Sequence, residues 1–234
     1  MAIFAISDLH LSKGCDKPMD IFGSRWIDFE EKLKKNWIRF VGKDDTVLIP
    51  GDISWAITQE EALFDLLFLE ELPGEKILCK GNHDFWWGTN GKVERFMEAN
   101  KIRSIHLLKN NAYLRGSDVI CGSRGWILPE STEFSAKDRT ILNREVGRLE
   151  RSLQEGIRLL SENGRLIVML HHPPFPFEGG VSPFSLLCEQ YKVSICLYGH
   201  LHGRGHEKAV EGVVNGVEYR LISADYIAFK PIRL

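Results

Sequence analysis

Five short apolar runs punctuate this chain at residues 2–7, 46–50, 76–79, 165–170 and 194–198, and stretches of helical periodicity separate most of them. Each run is four to six residues long and carries β-branched side chains, the pattern of strands buried on both faces. Between them, Trp26, Phe29, Leu33, Trp37, Phe40 and Val41 recur at spacings of three and four, which is one face of a helix. Leu142, Val146, Leu149, Leu153, Ile157 and Leu160 do the same. The spacing predicts further helices over 59–70 and 92–99. Residues 105–121 and the segment from 207 onward are broken by turn residues, Lys109-Asn110-Asn111, Arg115-Gly116-Ser117 and Asn215-Gly216, and read as hairpins. Strands of both kinds with helices outside predict an α/β fold with mixed sheets. No linker or repeat divides the chain, so a single domain over 1–234 is expected. The longest irregular stretch is 122–138. With the helix at 136–161 it forms a candidate cap element over about 122–162, a length of loop often reserved for function.

Composition removes several classes. Thirty Lys and Arg stand against thirty-two Asp and Glu, a formal charge of −2. That balance supplies no general attraction to nucleic acid or to an anionic membrane. The apolar start, Ala2 to Ile6, has no basic residue before it and meets Asp8 at once; it is too short for a signal core or a span. The stretch from Ala62 to Leu69 is interrupted by Asp65. The five cysteines are odd in number and form no C-x-x-C pair, the usage of a reducing cytoplasm. Cys15 is expected to be a free surface thiol.

The residues that carry chemistry stand at the ends of the strands. Asp8 and His10 come after the first run, Gly51-Asp52 after the second, Gly81-Asn82-His83-Asp84 after the third, His171-His172-Pro173-Pro174 after the fourth, and Gly199-His200-Leu201-His202 after the fifth. The carboxyl ends of strands are where α/β sheets place ligands. Residues i and i+2 of an extended segment point the same way, so Asp8 can converge with His10, and His200 with His202. The glycines at 51, 81 and 199 are expected to let the backbone turn sharply. Two Asp, one Asn and four His candidates, with no thiolate, suit Mn, Fe or Zn. They exceed the needs of one tetrahedral ion, and two metals sharing a carboxylate is the economical reading. His106 and His206 fall outside the pattern and are read as structural.

These blocks, D-x-H, G-D, G-N-H-D, a His before Pro and G-H-x-H, resemble those of the calcineurin-like metallophosphoesterases over residues 8–202. The resemblance implies a four-layer α-β-β-α sandwich. It implies that Asp8, His10 and His202 hold one metal, that Asn82, His171 and His200 hold the second, and that Asp52 bridges them. It selects His171 over His172, leaving His172 as a neighbour of the ligands. A bridging hydroxide would attack phosphorus in line with the leaving oxygen, with Asn82 and the metals stabilising the equatorial oxygens. His83 would lie near the leaving group as proton donor or phosphate contact; Asp84 would either orient that imidazole from behind or simply cap its loop.

The protein phosphatases of this superfamily carry Arg residues within the second and third motifs. Here Gly51-Asp52-Ile53-Ser54-Trp55 and Lys80-Gly81-Asn82-His83-Asp84 lack them, which resembles the compact bacterial phosphohydrolase and phosphodiesterase branch. The expected partner is a small or nucleotide-like phosphorylated substrate, with neither membrane nor nucleic acid. A nuclease of the same superfamily and a non-catalytic metal-binding interaction protein are the alternatives. Trp55, Phe85, Trp86, Trp87, Trp126, Phe175 and Phe177 crowd the motif loops; they are read first as packing under the site, and second as a stacking surface.

Overall fold

A computed structural model describes residues 1–131 and 134–234. The first sheet contains β1 (Ile3–Ala5), β2 (Thr46–Pro50), β3 (Glu75–Cys79), β4 (Ile105–Leu108) and the final strand β11 (Ile232–Arg233). The second contains β5 (Tyr113–Arg115), β6 (Asp118–Ser123), β7 (Leu166–Leu170), β8 (Ile195–Tyr198), β9 (Gly212–Val214) and β10 (Val217–Leu221). Their spatial orders are β11-β1-β2-β3-β4 and β5-β6-β7-β8-β10-β9. The inner strands of both sheets run parallel, and β11, β5 and β9 are antiparallel edges.

Alternation along each strand explains why the runs are apolar throughout. Ile3 and Ala5, Leu48, Ile77 and Cys79 point into a layer shared with Ile120, Ile167, Met169, Ile195 and Leu197 of the other sheet. Phe4, Val47, Ile49 and Leu78 point the other way, toward α1 (Phe29–Phe40), α2 (Gln59–Glu71) and α3 (Asn90–Ala99). On the second sheet, Val119, Cys121, Val168 and Cys196 meet Leu142, Leu149 and Leu153 of α4 (Ala136–Leu159) and Phe184 and Cys188 of α5 (Pro183–Gln190). Four layers, helix-sheet-sheet-helix, result. Each fully buried Leu or Ile of these layers contributes about 1.5–3 kcal/mol relative to exposure.

Three expectations change. Residues 105–121 are not one hairpin set: β4 joins the first sheet parallel to β3, whereas β5 and β6 form a hairpin in the second. The Lys109-Asn110-Asn111 turn is therefore the crossing between sheets. Next, α5 lies in a segment given no helix by periodicity; Ser182 caps it, accepting from the Phe184 and Ser185 amides, and Pro183 opens it, the arrangement favoured at a helix start. Finally, α4 packs on β6, with Gly156 seated so closely on Cys121 that a Cβ would lie 2.3 Å from its sulfur. The helical half of the 122–162 segment thus packs as part of the sandwich, and its loop half leads into it from the end of β6. Residues 132 and 133 of that loop lie outside the described residues. No helix among the described residues is long and apolar enough to cross a membrane. All five cysteines are free, and all but Cys15 are buried.

Candidate metal centre

The two sheets meet at the carboxyl ends of β1 and β10, where the Ser7 amide donates to the Ile222 carbonyl at 2.8 Å and the Ala224 amide to the Ser7 carbonyl at 2.9 Å. Just beyond this seam the backbone turns abruptly. Asp8, His10, Asp52 and His200 have φ of 57, 48, 50 and 72°, left-handed conformations that cost a side-chain-bearing residue about 1–3 kcal/mol each and persist where the surroundings enforce them. The enforcement is visible: the Asp8 amide donates to the Gly51 carbonyl and the His10 amide to the Asp52 carbonyl, both at 3.0 Å. Of the three motif glycines, Gly51 supplies a turn, with φ 96°. Gly81 and Gly199 do not. They are glycine because a Cβ would lie 2.1 Å from Asp52 Oδ1 and 2.1 Å from Asp8 Oδ2 respectively.

Each carboxylate docks one loop and turns an oxygen toward the imidazoles. The His83 amide donates to Asp52 Oδ1 at 2.8 Å. The other oxygen, Oδ2, lies 3.8 Å from His10 Nε2 and 3.4 Å from His171 Nε2. Asp8 accepts the His200 amide on both oxygens at 3.0 Å, and its Oδ1 is 3.5 Å from His202 Nε2. His171 Nδ1 lies 3.1 Å from the Pro50 carbonyl. A carbonyl only accepts, so Nδ1 carries the proton and Nε2 presents its lone pair, 2.6 Å from Asn82 Oδ1. His202 is set the same way, with Nδ1 donating to Asp225 Oδ1 at 2.8 Å. Its Nε2 then faces His10 Nε2 at 3.2 Å. Donor atoms of Asp8, His10 and His202 lie within 4.8 Å of one another, as do those of Asp8, Asp52 and His171, and those of His171, His172 and His200.

The electrostatics fit a cation. Burial, then the neighbouring Asp8 charge, pushes the Asp52 carboxyl up to about 8. Burial opposes ionisation of Asp8 as well, but the hydrogen bond and charge of His202, with His171 and His10, hold it well below the ordinary carboxylate value. Burial, then neighbouring imidazoles, lowers His200 to about 3 and His83 to about 4. His10 and His172 are lowered strongly by burial. His202 alone moves up, to about 10: burial disfavours its charge, but hydrogen bonds to Asp225 and Asp8 outweigh that. Asp8, Asp52 and imidazoles of which His10, His171 and His200 are held neutral form a donor set of oxygen and nitrogen without thiolate, in which a cation would take the place of the protons on Asp52 and His202; such a set suits Mn, Fe or Zn.

All of Asp8, His10, Asp52, Asn82, His171, His200 and His202 therefore reach one region. Of its two expected roles, Asp84 takes that of the loop cap. Its Oδ1 accepts from the Ile53 and Ser54 amides and Trp86 Nε1, and its Oδ2 from the Gly81 amide. It stitches the second and third motif loops together and does not orient His83, whose Nδ1 has no partner among the described residues. His172 lies against His200, ring centroids 4.3 Å apart. His106 pairs with Glu75. His206 is closer to the centre than expected, its Nε2 3.2 Å from Asp225 Oδ2. Asp225 is a further participant that the motifs do not include. It comes after the 218–223 run much as Asp8 comes after the first run, so the strand-end rule extends to it.

The aromatics divide. Trp55 stacks on His10 at 4.9 Å and contacts His83 at 4.3 Å, and Trp86 and Trp87 are buried. Trp126, Leu128, Phe175 and Phe177 instead line a cleft of about 590 Å³ that reaches His172 and His200.

A four-layer sandwich with clustered Asp, Asn and His at its strand ends defines a metal-binding phosphoesterase architecture. The calcineurin-like phosphoesterase family matches residues 1–204, and the chain belongs to that family. The Gene 66 protein of Mycobacterium phage L5 is 40% identical over 80 residues, a match spanning 33% of this chain and 37% of that protein. Among solved structures, a phosphopantetheinyl hydrolase from Mycobacterium tuberculosis superposes with a TM-score of 0.57 at 13% identity, covering 99% of this chain and 95% of that one. A protein of unknown function from Aquifex aeolicus gives 0.52 at 15% identity, with the same coverages.

Proposed function

We propose that this chain hydrolyses a small phosphodiester or phosphomonoester at a centre of two metal ions, with the organic part of the substrate lying in the aromatic cleft. The observation that carries this reading is the single oxygen Asp52 Oδ2, within 3.8 Å of His10 Nε2 and 3.4 Å of His171 Nε2, between two donor sets. Asp8, His10 and His202 would hold one ion, and Asn82, His171 and His200 the other. Two such ions supply Lewis acidity, acidifying a water and neutralising phosphate oxygens. The protein's own groups do the rest. Asp225 keeps the proton of His202 on Nδ1, so Nε2 stays a donor. His83, fixed by Trp55, is neutral until a phosphate dianion arrives; a nearby opposite charge then favours its protonated form. That imidazolium would pass a proton to the leaving oxygen. Trp126, Phe175 and Phe177 offer apolar faces to an aryl, base or alkyl group.

The test strips the protein with chelator, restores Mn, Fe or Zn singly, and tracks an aryl phosphomonoester and an aryl phosphodiester. Activity disappears with the metal and returns with at least one ion. Asp52→Asn lowers kcat/KM by about 100-fold or more, and Trp126→Ala raises KM for the aryl diester with little change in kcat. Hydrolysis that survives complete metal removal overturns the reading.

A further inference from the structure

A second, polar pocket of about 180 Å³ lies beside the centre and is lined by none of the proposed ligands. Lys80 enters it after β3, Lys109 after β4, Arg124 after β6, and Arg144 and Arg148 from α4. Glu145 is the one carboxylate among the lining residues, and Asp84 acts on Lys80 from behind the wall. Glu145 is fully buried, and its Oε1 accepts from Arg148 Nη1 at 2.6 Å and Arg144 Nε at 3.4 Å, with Arg124 Nη2 3.7 Å away. It fixes the guanidinium groups through Oε1, leaves Oε2 buried without a partner among the described residues, and offsets only one of the five charges. Arg124 is held over the Trp126 ring at 4.2 Å, and its Nε is buried without a partner among the described residues. Lys80 Nζ is pinned on the Trp87 carbonyl at 2.6 Å. A chain of net charge −2 has thus gathered a cationic surplus in one half-enclosed space, against the mutual repulsion of like charges in a low dielectric. An anion relieves that repulsion, and several guanidinium forks with two ammonium groups match the oxygens of phosphate.

We propose that this pocket is a second, metal-independent site for a phosphate group, either free or at the end of a larger molecule. It adjoins the first site through the backbone. The Arg124 carbonyl accepts the His171 and His172 amides, both at 3.0 Å, and Lys80 immediately precedes Gly81-Asn82. The site does not depend on the substrate proposed above.

Calorimetric titration of the full chain, with metal and after chelation, tests it, using inorganic phosphate in one arm and adenosine 5′-monophosphate in the other. One phosphate-binding event persists after chelation. The double variant Lys109→Ala with Arg144→Ala, at partly exposed positions and with a circular dichroism spectrum like the parent's, weakens that event about tenfold or more. Asp52→Asn leaves it within about twofold, because its loss is confined to the metal centre. Equal binding of the nucleotide assigns the phosphate to a larger molecule, and binding of inorganic phosphate alone assigns it to the free anion. Loss of all phosphate binding on chelation, or a double variant that binds like the parent, overturns the proposal.

Discussion

Asp65 is fully buried on α2, where its two oxygens take different partners. Oδ1 accepts the Lys13 amide at 2.9 Å and Oδ2 the Ser54 hydroxyl at 2.5 Å. These two donors lie just beyond His10 and Asp52, so one carboxylate braces two ligand loops from beneath. It is also the residue that breaks the apolar stretch at 62–69, and the bracing explains the break. Burial pushes its carboxyl up to about 6 from an ordinary 3.8. Between those values the folded chain keeps a proton that the unfolded chain has released. The Asp65 contribution to stability therefore falls as pH rises from about 4 to about 6 and is constant above, by an amount of up to about 3 kcal/mol. Urea melts of the parent and of Asp65→Asn across that range will differ by that share, the parent falling more steeply. At this scale the convergence of Asp8, His10, Asp52, Asn82, His171, His200 and His202 was legible because particular residue types recur at strand ends. For Asp84 the sequence left two roles open, because a carboxylate's type says nothing of which way it points; four N–H donors beneath the loop decide that.

Elements were legible where one period persisted. The runs at 46–50 and 165–170 and the long helical face of α4 carry a single pattern each, and they formed as read. β4 defeated the reading because its turn residues announce a reversal without saying which sheet receives the next strand. α5 defeated it because eight residues are too few to establish a period, although its Ser-Pro start carried a cap. The loops between elements are set by contact rather than by pattern. Gly199 illustrates this: a Cβ there meets Asp8 Oδ2 at 2.1 Å and Ser7 Oγ at 2.3 Å. Neither neighbour is the free end of a long side chain. Gly199→Ala will displace the Asp8 carboxylate, lowering metal affinity by about 10–100-fold, with a circular dichroism spectrum like the parent's. A variant that binds metal with parental affinity would show that the loop yields instead.

Across the whole molecule, the proposed ligands divide between the sheets. Asp8, His10, Asp52 and Asn82 come after β1, β2 and β3; His171, His200 and His202 come after β7 and β8. Ions held by residues of both sheets would bind the assembled sandwich far more tightly than the unfolded chain, and so would stabilise it by mass action. At a hundredfold excess over Kd that is about 2.7 kcal/mol for one site, or about 5–10 °C in Tm for a chain of this size. Thermal melts with and without the activating metal will show the rise, and Asp52→Asn will shrink it. The composition could not announce this division, since it depends on how β4 and β5 part company.

The division also sets an order in time. A chain emerging from synthesis presents Asp8, His10, Asp52 and Asn82 first, three oxygen donors and one imidazole, a set that hard cations such as Mg²⁺ accept. The three further imidazoles arrive only after residue 170 and turn the site toward transition metals. In the proposed centre, metal choice would thus be postponed until the second sheet is made, and the last motif to be synthesised would have the final say over which ion stays.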